Sequence, residues 1–442
     1  MGDNKNKVLI KNVTSLSVVQ IANLVLPLIS FPIISRILGP EKYGIINFAA
    51  SFITYFNLLI DYGFNLTATR RVAKEPLNEE NRNIVFQEVL SAKIVLFTIS
   101  VIIFLITLFT VTPLSKEKIV AVFSFLICIS TVLTQNWLFQ AMQNLNKIAI
   151  LNLIGKVLFT IFILLVIRDP KDYIWQPFIT SIIAILISLI SFIWAIKTYN
   201  LRFTFTKWKR LKTLLWKEKT IFFSTVVVSL YTTTNIVILG FIQSNKEVGI
   251  YTAAQRLIII AMSIVNMPIT QALYPFISRS FGESKAKGIE TVKKCIPLLF
   301  YFLFLLSLGM FIFGPLLIHI LNGDKFSESI ILFRILCILP FLIGISNILG
   351  IQIMLNTYMD KIFLYITSIG AVVGILLNIF LTYKWGNVGT AINWVIIETL
   401  IACIMYCVLY KRHIKPIDIK EFVPKKILSS VQQIIMEAKK KK

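Results

Sequence analysis

A small set of charged side chains lies inside long apolar stretches of the sequence. The basic members are Arg36, Lys93, Lys156, Arg256 and Arg334, and the acidic members are Asp61 and Glu398. A charged side chain surrounded by hydrocarbon is costly, so such residues mark binding or transport sites by default. The excess of basic groups favours an anion as the ligand. Phosphate suits these groups because a guanidinium can bind it through two hydrogen bonds.

Three of these residues are predicted to lie at one level in the N-terminal half. With a helix rise of about 1.5 Å per residue, Lys93 lies roughly 10 Å into its apolar run and Asp61 roughly 13 Å from the pair Arg70 and Arg71. We expect Asp61 to meet either Lys93 or Lys156 across a water-filled space. The alternative for Lys93 is that its ammonium reaches the headgroups along its own flexible chain.

The other charged residues have two interpretations each. Arg36 and Arg334 lie near the ends of their apolar runs, so they either face a hydrated cavity or reach the interface. Asp61 and Glu398 are candidates for coupling transport to a proton or sodium gradient. The alternative for Glu398 is a neutral, hydrogen-bonded structural carboxyl group.

Polar uncharged residues accompany the charges in the apolar stretches. Those that can bond sugar hydroxyls are Asn65, Thr69, Asn266, Gln271 and Tyr274. The alternative role for each of them is a hydrogen bond between neighbouring helices. The five cysteines lie in apolar runs without a histidine or acidic partner nearby, so no metal site is expected.

The composition places these residues in a membrane protein. The chain has 442 residues, is 57% hydrophobic and 15% charged, and has a mean hydropathy of +0.80. A soluble domain would carry about 25% charged residues. The net charge of +24 is concentrated in loops and at the C-terminus, which is typical of the cytoplasmic side of a membrane protein rather than of nucleic-acid binding.

Twelve apolar runs are long enough to cross a bilayer, which needs about 20 residues per helix. They lie near 13–38, 44–69, 86–110, 118–141, 148–167, 174–197, 219–242, 249–277, 295–321, 328–355, 361–383 and 386–410. A turn at Gly39 and Pro40 separates the first two. Most of the 45 lysines and arginines fall on one side if the N-terminus is inside, so both termini are predicted to be cytoplasmic.

The runs form two halves with related sequences. We predict an N-terminal six-helix lobe at 1–199, a basic amphipathic linker at 200–218, a C-terminal six-helix lobe at 219–411 and a basic cytoplasmic tail at 412–442. The linker is expected to lie on anionic lipid. Tyr43–Ala50 is similar to Val248–Gln255, and Arg70 matches Arg279. Because six spans is an even number, the two repeats run parallel and are expected to surround a central cavity.

Three segments resemble the Wzx-type O-antigen flippases of the multidrug/oligosaccharidyl-lipid/polysaccharide (MOP) exporter superfamily. They are Leu28–Ala73, Ser229–Ser278 and Ile345–Leu355. The resemblance implies an all-α fold like that of MOP and MATE transporters, with two six-helix bundles. It also implies a bacterial inner-membrane protein that moves an undecaprenyl-pyrophosphate-linked oligosaccharide from the inner to the outer leaflet. Arg36, Arg70 and Arg256 stand at family-like positions for binding the pyrophosphate.

The resemblance implies that the other partners are membrane lipids and the polymerase and chain-length regulator of the same pathway, with no cofactor. A drug or small-solute antiporter of the same fold is the alternative, but it would require an acidic cavity to expel cations. An enzyme would need catalytic groups in large outer loops. The predicted outer loops are short, so an enzyme is not expected.

Overall fold

The computed structural model describes residues 2–268 and 273–423. All regular structure within these ranges is helical, with no strand, which confirms the predicted all-α class. Eight of the described helical segments are long and apolar enough to cross a membrane, judged by length and composition. The protein is therefore a multi-pass membrane protein.

The N-terminal helices follow one another with short connections. They are α1 Gly2–Asp61, α2 Phe64–Ala73, α3 Glu79–Thr110, α4 Thr112–Lys116, α5 Lys118–Phe125, α6 Ile127–Leu133, α7 Asn136–Ala141, α8 Leu145–Val166, α9 Trp175–Tyr199 and α10 Trp208–Ile242. Most of these segments are continuous apolar runs, because a helix in lipid must be apolar on every face that meets the acyl chains.

The C-terminal helices follow the same pattern. They are α11 Asn245–Pro268, α12 Tyr274–Glu283, α13 Lys285–Asn322, α14 Ser329–Leu336, α15 Leu339–Asn347 and α16 Asp360–Lys411. A π-helical turn, Ile348–Met354, continues α15. Such turns are rare and concentrate at functional sites.

Two of the longest helices each contain a glycine at which the helix is interrupted. Gly39 in α1 has φ 72° and Gly386 in α16 has φ 56°, and neither residue is helical. A straight α16 would extend about 78 Å, more than twice the about 30 Å of a bilayer core. Each helix therefore supplies two spans. The predicted turn at Gly39 is confirmed, and the segments are consistent with twelve spans.

The chain forms two compact units, Met1–Ile250 and Tyr251–Lys442. In the first unit, α1 packs on α3, α8 and α10. In the second unit, α16 packs on α14 and α15. The predicted division into lobes, linker and tail stays a prediction.

Within the first unit, two glycines make a reciprocal close contact between α1 and α11. A Cβ atom on Gly44 would lie 1.8 Å from the carbonyl oxygen of Asn245, and one on Gly249 would lie 1.8 Å from that of Pro40. Gly44 and Gly249 occupy the same position of the repeated motif. Only glycine allows backbones to approach so closely.

Candidate functional site

The candidate site lies in the first unit, where two helices are broken beside each other. The first break follows Asp61, at Tyr62 (φ 49°) and Gly63 (φ 79°). This break corrects the prediction of one continuous second span, since α2 begins only at Phe64. The second break, at Thr134 and Gln135, separates α6 from α7. Broken helices leave backbone groups without helical partners, and those groups are available to bind ions or side chains.

Lys93 of α3 occupies the space between the two breaks. Its Nζ atom donates hydrogen bonds to the carbonyl oxygens of Thr131 (3.0 Å) and Thr134 (3.2 Å) at the end of α6. The same Nζ lies 3.6 Å from Oδ1 of Asp61. A cation at the C-terminal end of a helix is favourable because the last carbonyls carry partial negative charge.

The predicted pairing of Asp61 with Lys93 is confirmed, but no water-filled space separates the two residues. The Lys93 side chain is 1% exposed and that of Asp61 is 22% exposed. Asn65 adds a hydrogen bond from its Nδ2 atom to Oδ1 of Asp61, at 3.1 Å. Because its ammonium is enclosed by three oxygen atoms, Lys93 holds the two broken helices in position, and its predicted contact with the substrate stays a prediction.

A cavity of about 410 Å³ borders this network. It lies among α6, α7, α8 and α9. Its polar lining consists of Ser130, Thr134, Asn136, Asn152, Lys156, Thr180, Ser188 and Ser191. Lys156 is the one charged residue in its lining, and the other polar lining residues carry hydroxyl or amide groups.

A second cavity, of about 200 Å³, shares Thr180 with the first. Asn57 lines the second cavity, and its Oδ1 atom accepts a hydrogen bond from Oγ1 of Thr131 at 2.6 Å. The backbone carbonyl of Thr131 in turn accepts from Lys93. The two cavities and the buried ion pair therefore form one continuous polar region inside the N-terminal unit.

The other predicted residues of the first unit lie elsewhere. Arg36 and Arg70 are exposed, and neither lines the two cavities. Thr69 donates to the carbonyl oxygen of Trp137 at 3.1 Å, which ties α2 to α7. Asn65 and Thr69 thus hold the broken helices together. Hydrogen bonds of this kind are the alternative to sugar binding that the sequence analysis gave for both residues.

The predicted residues of the second unit are more dispersed. Arg256 is exposed, Tyr274 is half-buried, and the exposed Arg334 lies 5.5 Å from the centre of the Phe311 ring. Glu398 is 3% exposed within α16. The side chain of Asn266 and the whole of Gln271 lie outside the described residues.

Polar residues flank the Gly386 interruption of α16. Thr382 donates to Oδ1 of Asn378 at 2.7 Å and lies 2.7 Å from the hydroxyl of Thr390 on the other side of the interruption. Glu398 lies further along this helix, so the second unit also buries polar groups near a break.

The sequence-based prediction missed Thr131 and Thr134. A signal was present in the run Ser130–Trp137, where several polar residues interrupt an otherwise apolar span. Polar residues in a membrane helix usually contact neighbouring helices or a cavity. The helix break itself had no proline or glycine to indicate it.

Comparisons with known proteins identify the family. The family described as "Polysaccharide biosynthesis protein" matches residues 9–281. A protein of Escherichia coli (strain K12) named "Putative O-antigen transporter" is 30% identical over 404 residues, which are 91% of this chain and 97% of that protein. A protein of Shigella dysenteriae with the same name is 27% identical, over 89% of this chain and 98% of its own length.

Solved structures share the fold. The Lipid II flippase MurJ, in an inward closed conformation, has a TM-score of 0.66 at 15% identity, covering 95% of this chain and 91% of MurJ. An outward-facing MATE family transporter of the MOP superfamily has a TM-score of 0.54 at 15% identity, covering 91% of this chain and 95% of that chain. These relatives are named as transporters and as a flippase. The chain belongs to the polysaccharide biosynthesis protein family and is a multi-pass membrane protein with the fold of the MOP superfamily transporters.

Proposed function

We propose that this protein moves an undecaprenyl-pyrophosphate-linked oligosaccharide unit from the cytoplasmic to the outer leaflet of a bacterial inner membrane. The observation that carries the proposal is the polar cavity beside the broken helices, with Lys156 as its one charged lining residue. The O-antigen transporter names of the relatives and the fold shared with a lipid flippase support it.

The chemistry of the cavity matches a substrate that combines sugar and phosphate. Its hydroxyl and amide side chains can exchange hydrogen bonds with sugar hydroxyls, and the Lys156 ammonium can neutralise phosphate charge. At about 410 Å³ the cavity has room for only part of an oligosaccharide unit. The isoprenoid tail stays in the bilayer, since moving it out of lipid would cost about 0.8 kcal/mol per CH₂ group.

Arg36, Arg70, Arg256 and Arg334 have a separate role in this proposal. Arg70 receives the pyrophosphate at the cytoplasmic leaflet, and the other three release it toward the outer leaflet as the two halves alternate in access. Both termini lie in the cytoplasm. The polymerase and the chain-length regulator of the same pathway act on the flipped product.

Ion coupling is assigned to Glu398 rather than to Asp61. Asp61 already has Lys93 and Asn65 as partners, so it is committed to holding the broken helices. Glu398 is buried and can bind a proton or a sodium ion as access alternates. The antiporter alternative has only the likeness to MATE transporters, which at 15% identity shows the fold alone.

The experiment that tests the function compares Lys156→Ala with Lys147→Ala on the same helix. Lys147 lies over the Trp194 ring and does not line the cavity. We expect Lys156→Ala to lower the rate of lipid-linked oligosaccharide flipping in vesicles by at least about tenfold, the effect of losing a charge-assisted bond in a desolvated site. Lys147→Ala should keep most of the rate.

In cells, Lys156→Ala should trap single lipid-linked units on the inner leaflet. Wild-type flipping by Lys156→Ala would exclude the cavity as the substrate site. Accumulation of single units on the outer surface would instead indicate a polymerase defect and contradict the proposal.

A further inference from the structure

A basic cleft of about 720 Å³ lies in the first unit, at the predicted cytoplasmic ends of α2 and α3 and against the start of α10. Its charged lining residues are Arg71, Lys207, Lys209, Arg210 and Lys217, with Glu88 and Glu218 as the acidic members. The cleft therefore carries an excess of three positive charges. It is separate from the polar cavity around Lys156, with which it shares no lining residue.

Glu88 and two arginines form the floor of this basic cleft. Glu88 is 6% exposed, and its Oε2 atom lies 2.5 Å from Nη2 of Arg71. Its other oxygen, Oε1, accepts from Nε of Arg210. The carboxylate of Glu88 thus holds two guanidinium groups from different helices in place. Each guanidinium keeps further N–H donors that point away from Glu88, since the group carries five.

The wall of the basic cleft is fixed to α3 by hydrogen bonds on the segment between α9 and α10. The Arg202 amide donates to Oδ1 of Asn83 at 2.9 Å, and the Arg202 carbonyl accepts from Gln87 at 3.0 Å. The Thr206 amide donates to Oγ of Ser91 at 3.0 Å. The start of α10 is therefore held against α3. Because this backbone is already fixed, binding a ligand costs less conformational entropy.

Three lysines of the basic cleft have no acidic partner among the described residues. Lys207, Lys209 and Lys217 are exposed, and none forms an ion pair within residues 2–268 and 273–423. Two large aromatic side chains, Trp208 and Trp216, are 63% and 71% exposed beside them. Tryptophan at the edge of a membrane span is typical of the headgroup region.

We propose that the basic cleft is a specific site for the phosphate headgroup of an anionic membrane phospholipid. The two arginines and three lysines supply the cations that a phosphodiester needs, and the exposed tryptophans place the site at headgroup depth. The bound lipid anchors α10 to the N-terminal unit at the cytoplasmic face.

This proposal does not depend on which substrate the transporter moves. A free phosphate ion has the same chemistry as the headgroup, so the test separates the two sources.

The test measures bound lipid by native mass spectrometry of the full-length protein in neutral detergent. The probes are phosphatidylglycerol and, separately, inorganic phosphate, with phosphatidylcholine as the neutral comparison. The cleft variant combines Lys207→Gln, Lys209→Gln and Lys217→Gln. The control variant combines Lys197→Gln, Lys212→Gln and Lys219→Gln, which removes the same charge from the same region without touching the cleft. A third variant replaces the three cleft lysines by arginine.

We expect phosphatidylglycerol affinity to fall by at least about tenfold in the cleft variant, because each basic residue near an anionic headgroup contributes several-fold. The control and arginine variants should stay within about twofold of the unmodified protein. Equal losses in the cleft and control variants would mean diffuse attraction and would overturn the proposal. Binding of inorganic phosphate with no preference for phosphatidylglycerol over phosphatidylcholine would overturn the lipid assignment.

Discussion

Lys93 shows how one buried charge can stabilise two broken helices. Its ammonium lies within 3.6 Å of Asp61 and donates to the carbonyls of Thr131 and Thr134. These groups would otherwise be buried without adequate partners, at a cost of about 1–3 kcal/mol for each unsatisfied group. The sequence predicted Lys93 as a substrate-binding residue, which stays a prediction, and the structure adds that its ammonium holds the broken helices in position.

Replacing Lys93 by methionine should therefore destabilise the protein strongly. The substitution keeps the volume but leaves the Asp61 carboxylate without its cation, so we expect the free energy of unfolding to fall by about 3 kcal/mol. The double variant Lys93→Met with Asp61→Asn should recover a large part of the loss, because no charge is then left unpaired. Unfolding midpoints in detergent measure both. Simple additivity of the two single effects would contradict the pairing.

The helices and their interruptions decide which side chains meet. The interruptions after Asp61 and at Thr134 lie beside each other and are joined by Lys93, and Thr134 lines the polar cavity. At Gly44 and Gly249, by contrast, the lack of side chains lets the backbone of α1 approach the start of α11 closely. The turn at Gly39 was predictable from its glycine and proline. The break at Thr134 was not, because no residue there disfavours a helix strongly.

Substituting either close-contact glycine should separate α1 from α11. In Gly44→Ala and Gly249→Ala, the new Cβ atom would lie 1.8 Å from a backbone carbonyl oxygen, so we expect each to destabilise the protein by about 2–3 kcal/mol. Gly309→Ala in α13 is the control, because nothing lies within 4 Å of its Cβ position. That change should be neutral or stabilise the helix by up to about 1 kcal/mol. Thermal unfolding midpoints of the three variants decide the matter, and equal midpoints would refute the close contact.

At the scale of the whole molecule, the membrane class and the spans followed from apolar runs of sufficient length. Most of the predicted runs correspond to described helices, with α1 and α16 each supplying two of them across a glycine, while the run 249–277 lies partly outside the described residues. The site was predicted less completely. Asp61 was predicted to meet either Lys93 or Lys156, and it pairs with Lys93. Lys156 lines a cavity, whereas Arg36 and Arg70 lie outside the two cavities.

The predicted orientation can be tested with single cysteines in a variant whose five native cysteines are replaced by serine or alanine. Lys209→Cys, in the basic cleft, should react with a membrane-impermeant maleimide only after the cells are opened. Lys171→Cys, in the loop before α9, should react in intact cells. The reason is the concentration of basic residues on the cytoplasmic side. Labelling of both positions in intact cells, or the reverse pattern, would contradict cytoplasmic termini.

The sequence alone determined that the chain crosses a membrane many times, where most spans begin and end, and which charged residues lie within them. These properties depend on sums over neighbouring residues, because transfer into lipid is a local cost. Only the tertiary structure decided that Asp61 pairs with Lys93 and not with Lys156, and that Lys93 is sealed rather than wet. One carboxylate can pair closely with only one of two cations at similar depth. Which cation pairs with Asp61 depends on the positions of the carbonyl groups of Thr131 and Thr134, which lie at a helix break far from Asp61 in the sequence.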